Sequence, residues 1–281
     1  MSRLRLGAAV LGSPIDHSLS PALHQAAYDA IGLVGWRYRA IECDEADLMG
    51  TLLALDEEGL AGVSLTMPLK RAVVPMAAAT DGIVETVGAA NTLLFGADGR
   101  WVAANTDVQG FVLSLYRAGL RALRGDVWLL GAGATACSAL AGLAELSVTE
   151  VIVAARRPEA VGMIREVANK CGITLHVRPW SDAAAAVTGE LVVSCVPPGA
   201  TDDLAPALAH ASPRGLWFDV VYVPWPTAAA QAWDGAGGRS IGGLDLLVEQ
   251  AAEQVRLMSG VDAPIDVMRA AGELALRLRD R

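Results

Sequence analysis

Asp126-Val127-Trp128-Leu129-Leu130 runs directly into Gly131-Ala132-Gly133-Ala134-Thr135-Ala136, and an alanine- and leucine-rich stretch, 137–146, follows. The unbroken apolar run is that of a strand buried on both faces of a parallel sheet. Strand, tight glycine turn and helix together form a phosphate cradle. Gly131 permits the turn, Gly133 lets backbone approach a pyrophosphate without a β-carbon in the way, and Ala136 is small enough for helix and strand to pack closely. A lone glycine pattern also fits an ordinary βα turn; the flanking strand and helix are what favour a nucleotide. Two polar stretches, Asn91-Thr92 and Asn105-Thr106-Asp107, lie upstream of this loop. That order predicts a substrate-holding domain built before a nucleotide-holding one.

Outward from the loop, βα units repeat. Downstream, the pattern predicts strands at 150–155, 174–179, 191–194 and 216–220, with helices at 134–146 and 159–171. Upstream it predicts strands at 6–11, 36–41 and 62–65, helices at 21–31 and 45–57, and a hairpin of 92–95 with 100–104 turning at Asp98-Gly99. Two amphipathic helices, 244–260 and 264–278, close the chain with no strand between them, so they must dock on something. The fold class is α/β with a doubly wound parallel sheet. Alanine clusters at 183–186 and 228–230 read as helix.

The 281 residues, 53% hydrophobic and 19% charged, are enough for two ordinary domains with real cores. A net charge of −9 and no Lys/Arg run argue against a nucleic-acid partner, whose phosphates must be neutralised. Cys43, Cys137, Cys171 and Cys195 are spaced too widely for a metal or redox pair and read as packing residues of a cytoplasmic protein. No apolar stretch is long enough to predict a membrane span. The seven tryptophans are scattered and read as core or rim packing.

Specific side chains then suggest chemistry. About twenty residues past the glycines, where an acid would hold the ribose hydroxyls of NAD, the strand ends in Arg156-Arg157. Guanidiniums there would pair with a 2′-phosphate, so NADP is the expected cofactor. Ser18 and Ser20 precede a helix that opens on Pro21; Ser20 suits an N-cap, and both hydroxyls suit a substrate carboxylate at a helix N-terminus. Lys70 follows a strand end and a proline turn, and Asp107 closes the polar stretch at the far margin of the first domain. If the two meet, they form a proton-transfer pair, the carboxylate keeping the amine oriented.

In this order, the stretches Gly12-Ser13-Pro14-Ile15-Asp16-His17-Ser18-Leu19-Ser20-Pro21, Ser64-Leu65-Thr66-Met67-Pro68-Leu69-Lys70, Gly88-Ala89-Ala90-Asn91-Thr92-Leu93, Asn105-Thr106-Asp107, the glycine loop, Asp219-Val220-Val221-Tyr222 and 243–250 resemble the shikimate dehydrogenase family. The resemblance spans essentially the whole chain. It implies reversible NADP-linked interconversion of 3-dehydroshikimate and shikimate, and a fold in which the C-terminal helices return to the first domain. The implied domains are 1–106 with 243–281 for substrate and catalysis, and a Rossmann domain, 107–242, for NADP. It assigns the substrate carboxylate to Ser18 and Ser20, a pocket hydroxyl to Thr66, ring hydroxyls to Asn91, Asp107 and Gln250, a pocket wall to Tyr222, and acid–base work to Lys70. On the cofactor side it assigns the diphosphate to Gly131, Ala132, Gly133, Ala134 and Thr135, the 2′-phosphate to Arg156, and backbone contacts near the nicotinamide to Val220 and Gly243.

The chain departs from the family's commonest pattern at Ser64 for asparagine, Ala134 for a third glycine, Ala155 and Arg157 for asparagine and threonine, and Ala160 for a further arginine. Ser64 still offers one hydrogen bond to substrate, and Arg157 offers a second charge for the phosphate. The partners expected are a small-molecule substrate, no nucleic acid, no membrane and no metal, in a monomer or homodimer. Two alternatives stand beside this reading: a quinate/shikimate dehydrogenase that accepts NAD, and a non-catalytic sensor of nucleotide or metabolite.

Overall fold

Alternating apolar strands and periodic helices fold into two six-stranded sheets in the computed structural model, which describes residues 5–156 and 161–279. Two compact units result, one from Met1–Gly110 with Leu247–Arg281 and one from Phe111–Leu246. Each boundary falls inside a helix, α5 (Asp107–Arg117) and α10 (Gly243–Ser259), rather than ahead of it.

The first sheet runs β2-β1-β3-β5-β6-β4, from β1 (Ala8–Gly12), β2 (Tyr38–Glu42), β3 (Gly62–Leu65), β4 (Ala79–Thr80), β5 (Thr92–Phe95) and β6 (Trp101–Ala104). β1 is parallel to both β2 and β3, whereas β5 is antiparallel to β3 and β6. Every residue of β1 and β3 is buried, as their apolar runs require. The β5–β6 hairpin turns where the sequence places it, with Gly99 at φ +77 and the Gly96 amide donating to the Arg100 carbonyl at 2.8 Å. Leu11, Leu52, Val63, Leu65, Leu93 and Phe95 form the core here. Burying each of these large side chains contributes roughly 1.5–3 kcal/mol.

Helix α1 (Ser20–Ala30) buries Leu23, His24, Ala27 and Tyr28, the one-sided spacing of a docked amphipathic helix. The last helix, α11 (Ile265–Arg279), packs against α1, so the tail does return to the first unit. In α10, Val248, Ala251, Ala252 and Val255 are buried, again a single stripe.

The second sheet is parallel throughout and runs β12-β11-β10-β7-β8-β9, from β7 (Val127–Leu130), β8 (Glu150–Ala155), β9 (Thr174–Pro179), β10 (Leu191–Ser194), β11 (Leu216–Asp219) and β12 (Arg239–Ile241). From β7 the chain builds outward one way through β8 and β9, then returns to place β10 on the other side. The carboxyl ends of β7 and β10 therefore flank the switch point of a doubly wound sheet. The central strands β7, β10 and β11 are wholly buried. Trp128, Leu130, Val192, Trp217 and Trp233 pack among the core residues of this unit.

The alanine cluster near 183–186 is helical as expected, a 3-10 helix, Trp180–Thr188. Two other expectations change. Ser20 is the first helical residue of α1 and not its N-cap, a place Leu19 takes without any side-chain cap. Short elements carried too few residues for a periodic signal: β4, β12, α3 (Leu69–Ala72), α4 (Gly82–Val87) and α8 (Ala205–Ala209). Helices α2 (Leu48–Glu58), α6 (Ala134–Glu145) and α9 (Ala228–Gly235) match their expected places, as does α7 (Val161–Cys171) over its described part.

Candidate active site

Lys70 sits in α3, one short turn past the end of β3, and its carbonyl accepts the Ala90 amide at 2.7 Å, tying that turn to the segment before β5. Asp107 opens α5, its amide held by the Asn105 side chain at 3.0 Å. These two anchors bring Lys70 Nζ to 2.6 Å from Asp107 Oδ2, with side chains 17% and 6% exposed. The expected pair therefore exists.

Asn91, just ahead of β5, is the hub of the cluster. Its side-chain amide nitrogen, with two protons to share, lies 2.8 Å from Asp107 Oδ1, 2.9 Å from Thr106 Oγ1 and 2.7 Å from Gln250 Oε1, while its oxygen accepts the Thr106 amide at 2.9 Å. Both Asp107 carboxylate oxygens are thus engaged, one by a cation and one by an amide, which fixes the carboxylate's rotation. Gln250 reaches Asn91 because α10 crosses α5 closely: a β-carbon on Gly110 would stand 2.9 Å from the Gln250 backbone nitrogen. Sequence reasoning named every member of this cluster except Thr106, which it quoted only as part of a motif.

Three further residues join from behind. Gln254, one helical turn after Gln250, donates to the Asn91 carbonyl and to Thr92 Oγ1, each at 3.0 Å. It accepts the Ser64 hydroxyl at 2.8 Å, and Ser64 in turn accepts the Tyr38 hydroxyl at 2.6 Å. The Ser64 proton is therefore already committed to Gln254, which corrects the expectation that it is available to substrate. Burial pushes the Tyr38 phenol well above its ordinary range, with hydrogen bonding to Ser64 and Ser20 pulling the other way, so it stays protonated. The i, i+4 spacing from Gln250 was the signal that could have found Gln254; nothing local marked Tyr38.

Ser18 and Ser20 lie together at the start of α1, where the Ser18 hydroxyl accepts the Ser20 amide at 3.3 Å. The Arg279 guanidinium donates to the His17 and Ser18 carbonyls at 2.7 and 3.1 Å, so α11 ties down this segment. Thr66 follows the last residue of β3, its amide on the Leu11 carbonyl at 2.9 Å. No helix among the described residues is long and apolar enough to cross a membrane.

In the second unit the glycine loop follows β7 as the sequence requires. Gly131 has φ +106, and a β-carbon there would stand 2.9 Å from the Cys195 carbonyl oxygen, beside the end of β10. Glycine is therefore demanded by both strain and space. Gly133 is the N-cap of α6, with open space over its missing β-carbon and no side chain capping the helix amides. Those amides suit a diphosphate. Arg156 follows β8, exposed, with its guanidinium carbon 5.8 Å from the centre of the Trp180 ring. Arg157 lies outside the described residues. Val220 and Tyr222 are half-buried in the turn after β11, and the Gly243 amide donates to the Val221 carbonyl at 3.0 Å. Asp219 anchors that turn, accepting the Val221 amide at 3.1 Å and the Thr227 hydroxyl at 2.9 Å. An open glycine turn, uncapped helix amides and an exposed arginine in place of an acid fit a dinucleotide that carries a 2′-phosphate.

Residues 10–93 match the family described as the shikimate dehydrogenase substrate binding domain, and residues 243–271 match the shikimate 5′-dehydrogenase C-terminal domain. A shikimate dehydrogenase (NADP(+)) of Methanothrix thermoacetophila is 35% identical over 272 residues, covering 95% of this chain and 97% of the relative. The pentafunctional AROM polypeptide of Yarrowia lipolytica is 32% identical over 268 residues, of which the chain spans only 17% of the longer protein. Among solved structures, Mycobacterium tuberculosis shikimate dehydrogenase is 38% identical with a TM-score of 0.85, covering 96% of this chain and 99% of that one. Shikimate 5-dehydrogenase of Thermus thermophilus, solved with NADP(H) and shikimate, is 31% identical with a TM-score of 0.81 over 96% and 99% of the two chains. With relatives this similar along nearly their whole length, the chain belongs to the shikimate dehydrogenase family.

Proposed function

We propose that the chain catalyses the reversible, NADP-linked interconversion of 3-dehydroshikimate and shikimate, the first unit holding substrate and the second holding cofactor. The observation that carries the reading is the 2.6 Å contact of Lys70 with Asp107 inside a buried polar cluster. NADPH, when bound, supplies the hydride for ketone reduction. The chain's own task is to hold the ring and deliver one proton to the carbonyl oxygen.

Lys70 carries that proton and takes it back in the reverse direction, and Asp107 keeps the ammonium aimed. Gln250 presents its amide nitrogen, which has no partner among the described residues, to a ring hydroxyl. Asn91 and Asp107 complete the hydroxyl contacts, Thr66 and Tyr222 line the pocket, and the Ser18 and Ser20 hydroxyls take the carboxylate at the start of α1. On the cofactor, Gly131, Ala132, Gly133, Ala134 and Thr135 hold the diphosphate, Arg156 with Arg157 the 2′-phosphate, and Val220 and Gly243 the nicotinamide end. A cytoplasmic setting and a monomeric or homodimeric state belong to the same proposal.

Steady-state rates with shikimate and quinate, each with NADP⁺ and with NAD⁺, test it. Shikimate with NADP⁺ is expected to give the highest kcat/KM of the four. Quinate with NAD⁺ in first place would overturn the substrate and cofactor assignment, and cofactor binding without turnover on any pair would replace the enzyme with a sensor.

A further inference from the structure

We propose that Trp180 is a positioning residue for the cofactor's 2′-phosphate: its indole face holds the Arg156 guanidinium, so that the ring as well as the charge sets the preference for NADP over NAD. This rests on Arg156 binding that phosphate, as proposed above.

Strand register brings the two residues together. Ala155 pairs with Pro179 across parallel strands β8 and β9, so Arg156 and Trp180 emerge side by side at their carboxyl ends. Ligands of open α/β sheets bind at that edge. The 5.8 Å separation of guanidinium carbon and ring centre is within cation–π reach. The indole itself is held on two sides. It packs against the core of the second unit, and its Nε1 donates to Asp203 Oδ2 at 3.4 Å.

Arg156, by contrast, is exposed, and no carboxylate among the described residues pairs with it. Its five N–H donors are left for an incoming anion. A long exposed arginine loses rotamer freedom when it grips a phosphate, and a fixed aromatic face restricts that freedom beforehand. NAD has no phosphate there, so the benefit is confined to NADP.

Titration calorimetry with NADP⁺, NAD⁺ and 2′,5′-ADP reads this directly. Trp180→Ala is expected to raise the Kd for NADP⁺ and 2′,5′-ADP about three- to tenfold, with NAD⁺ unchanged within about twofold. Trp180→Phe keeps an aromatic face without cutting into the core, and is expected to recover most of the loss. Because the ring acts through the arginine, Arg156→Ala combined with Trp180→Ala should bind NADP⁺ no more weakly than Arg156→Ala alone, within about twofold. Equal weakening of NADP⁺ and NAD⁺ by Trp180→Ala, or fully additive losses in the double variant, would overturn the proposal. If Arg156→Ala weakens NADP⁺ while both Trp180 variants bind normally, only the tryptophan's role falls. If Arg156→Ala leaves NADP⁺ affinity intact, the phosphate assignment falls and takes this proposal with it.

Discussion

Lys70 and Asp107 lie thirty-seven positions apart, and three hydrogen bonds decide that they meet: Ala90 on the Lys70 carbonyl, Asn105 on the Asp107 amide, and Asn91 on the carboxylate. An ammonium held at 2.6 Å from a carboxylate that is 6% exposed cannot wander. Orientation of this kind is what separates a proton donor from a surface lysine. Lys70→Ala is therefore expected to lower kcat by about 10²–10⁴-fold. Calorimetric affinity for NADP⁺, proposed to lie on the other unit, should stay within about threefold, since the loss belongs to the proton transfer alone. Turnover near the wild-type value would remove Lys70 from the chemistry. At this scale residue types and the Lys70–Asp107 pairing were legible, but the partnerships behind them were not. The sequence named Asn91, Lys70, Asp107 and Gln250, yet it did not reveal that Ser64 spends its proton on Gln254, because that bond joins residues 190 positions apart. Tyr38 was invisible for the same reason: an alternating strand predicts which side chains are buried, not which hydroxyl they reach.

Helix α1 and strand β2 meet through an unusual contact for a docking helix, with the His24 imidazole stacked on Tyr38 at 3.9 Å and 15° and its Nδ1 paired with the Ser20 carbonyl at 2.9 Å. Burial lowers the imidazole's pKa from 6.5 to about 4, although the hydrogen bond to the Ser20 carbonyl and the nearby Gln254 side chain favour the charge. The sign follows from linkage. Above pH 6.5 both folded and unfolded chains hold His24 neutral and nothing is at stake. As pH falls from about 6.5 to about 4 the unfolded chain gains a proton that the folded chain refuses, so stability is lost across that window. At about 1.4 kcal/mol per unit the loss is about 3 kcal/mol. His24→Phe keeps a stacked ring without a titrating nitrogen, and its urea midpoint should fall less between pH 7 and pH 4.5 than that of the wild type. Identical pH slopes would show that another group carries the acid sensitivity. Several strands were legible to the residue: β3, β5, β7, β8, β9 and β10 begin and end where the sequence pattern predicts. Helix α4 was missed although Asp81 caps it and Gly88 ends it, because six residues are too few to show a 3.6-residue period.

Each unit has its own sheet and its own core, so each has what it needs to respond to a ligand of its own. The parallel order of the second sheet follows from repeated βα units and was legible from the strand running into Gly131. The mixed first sheet was not, since only pairing reveals that β5 runs against β3. The division also makes the proposed labour testable without any turnover. A ligand at a hundredfold over its Kd adds about 2.7 kcal/mol to the state that binds it. For amides that exchange only when their unit opens, that is about a hundredfold slowing. NADP⁺ alone is expected to slow hydrogen exchange in β7, β8 and β10, and shikimate alone in β3, β5 and the α10 segment around Gln254. Protection of the first sheet by NADP⁺ and of the second by shikimate would reverse the assignment of the units. Equal protection of both sheets by either ligand would mean that they open as one cooperative body, in which case residue-level exchange at Gly133 and at Asn91 still separates the cofactor's contacts from the substrate's.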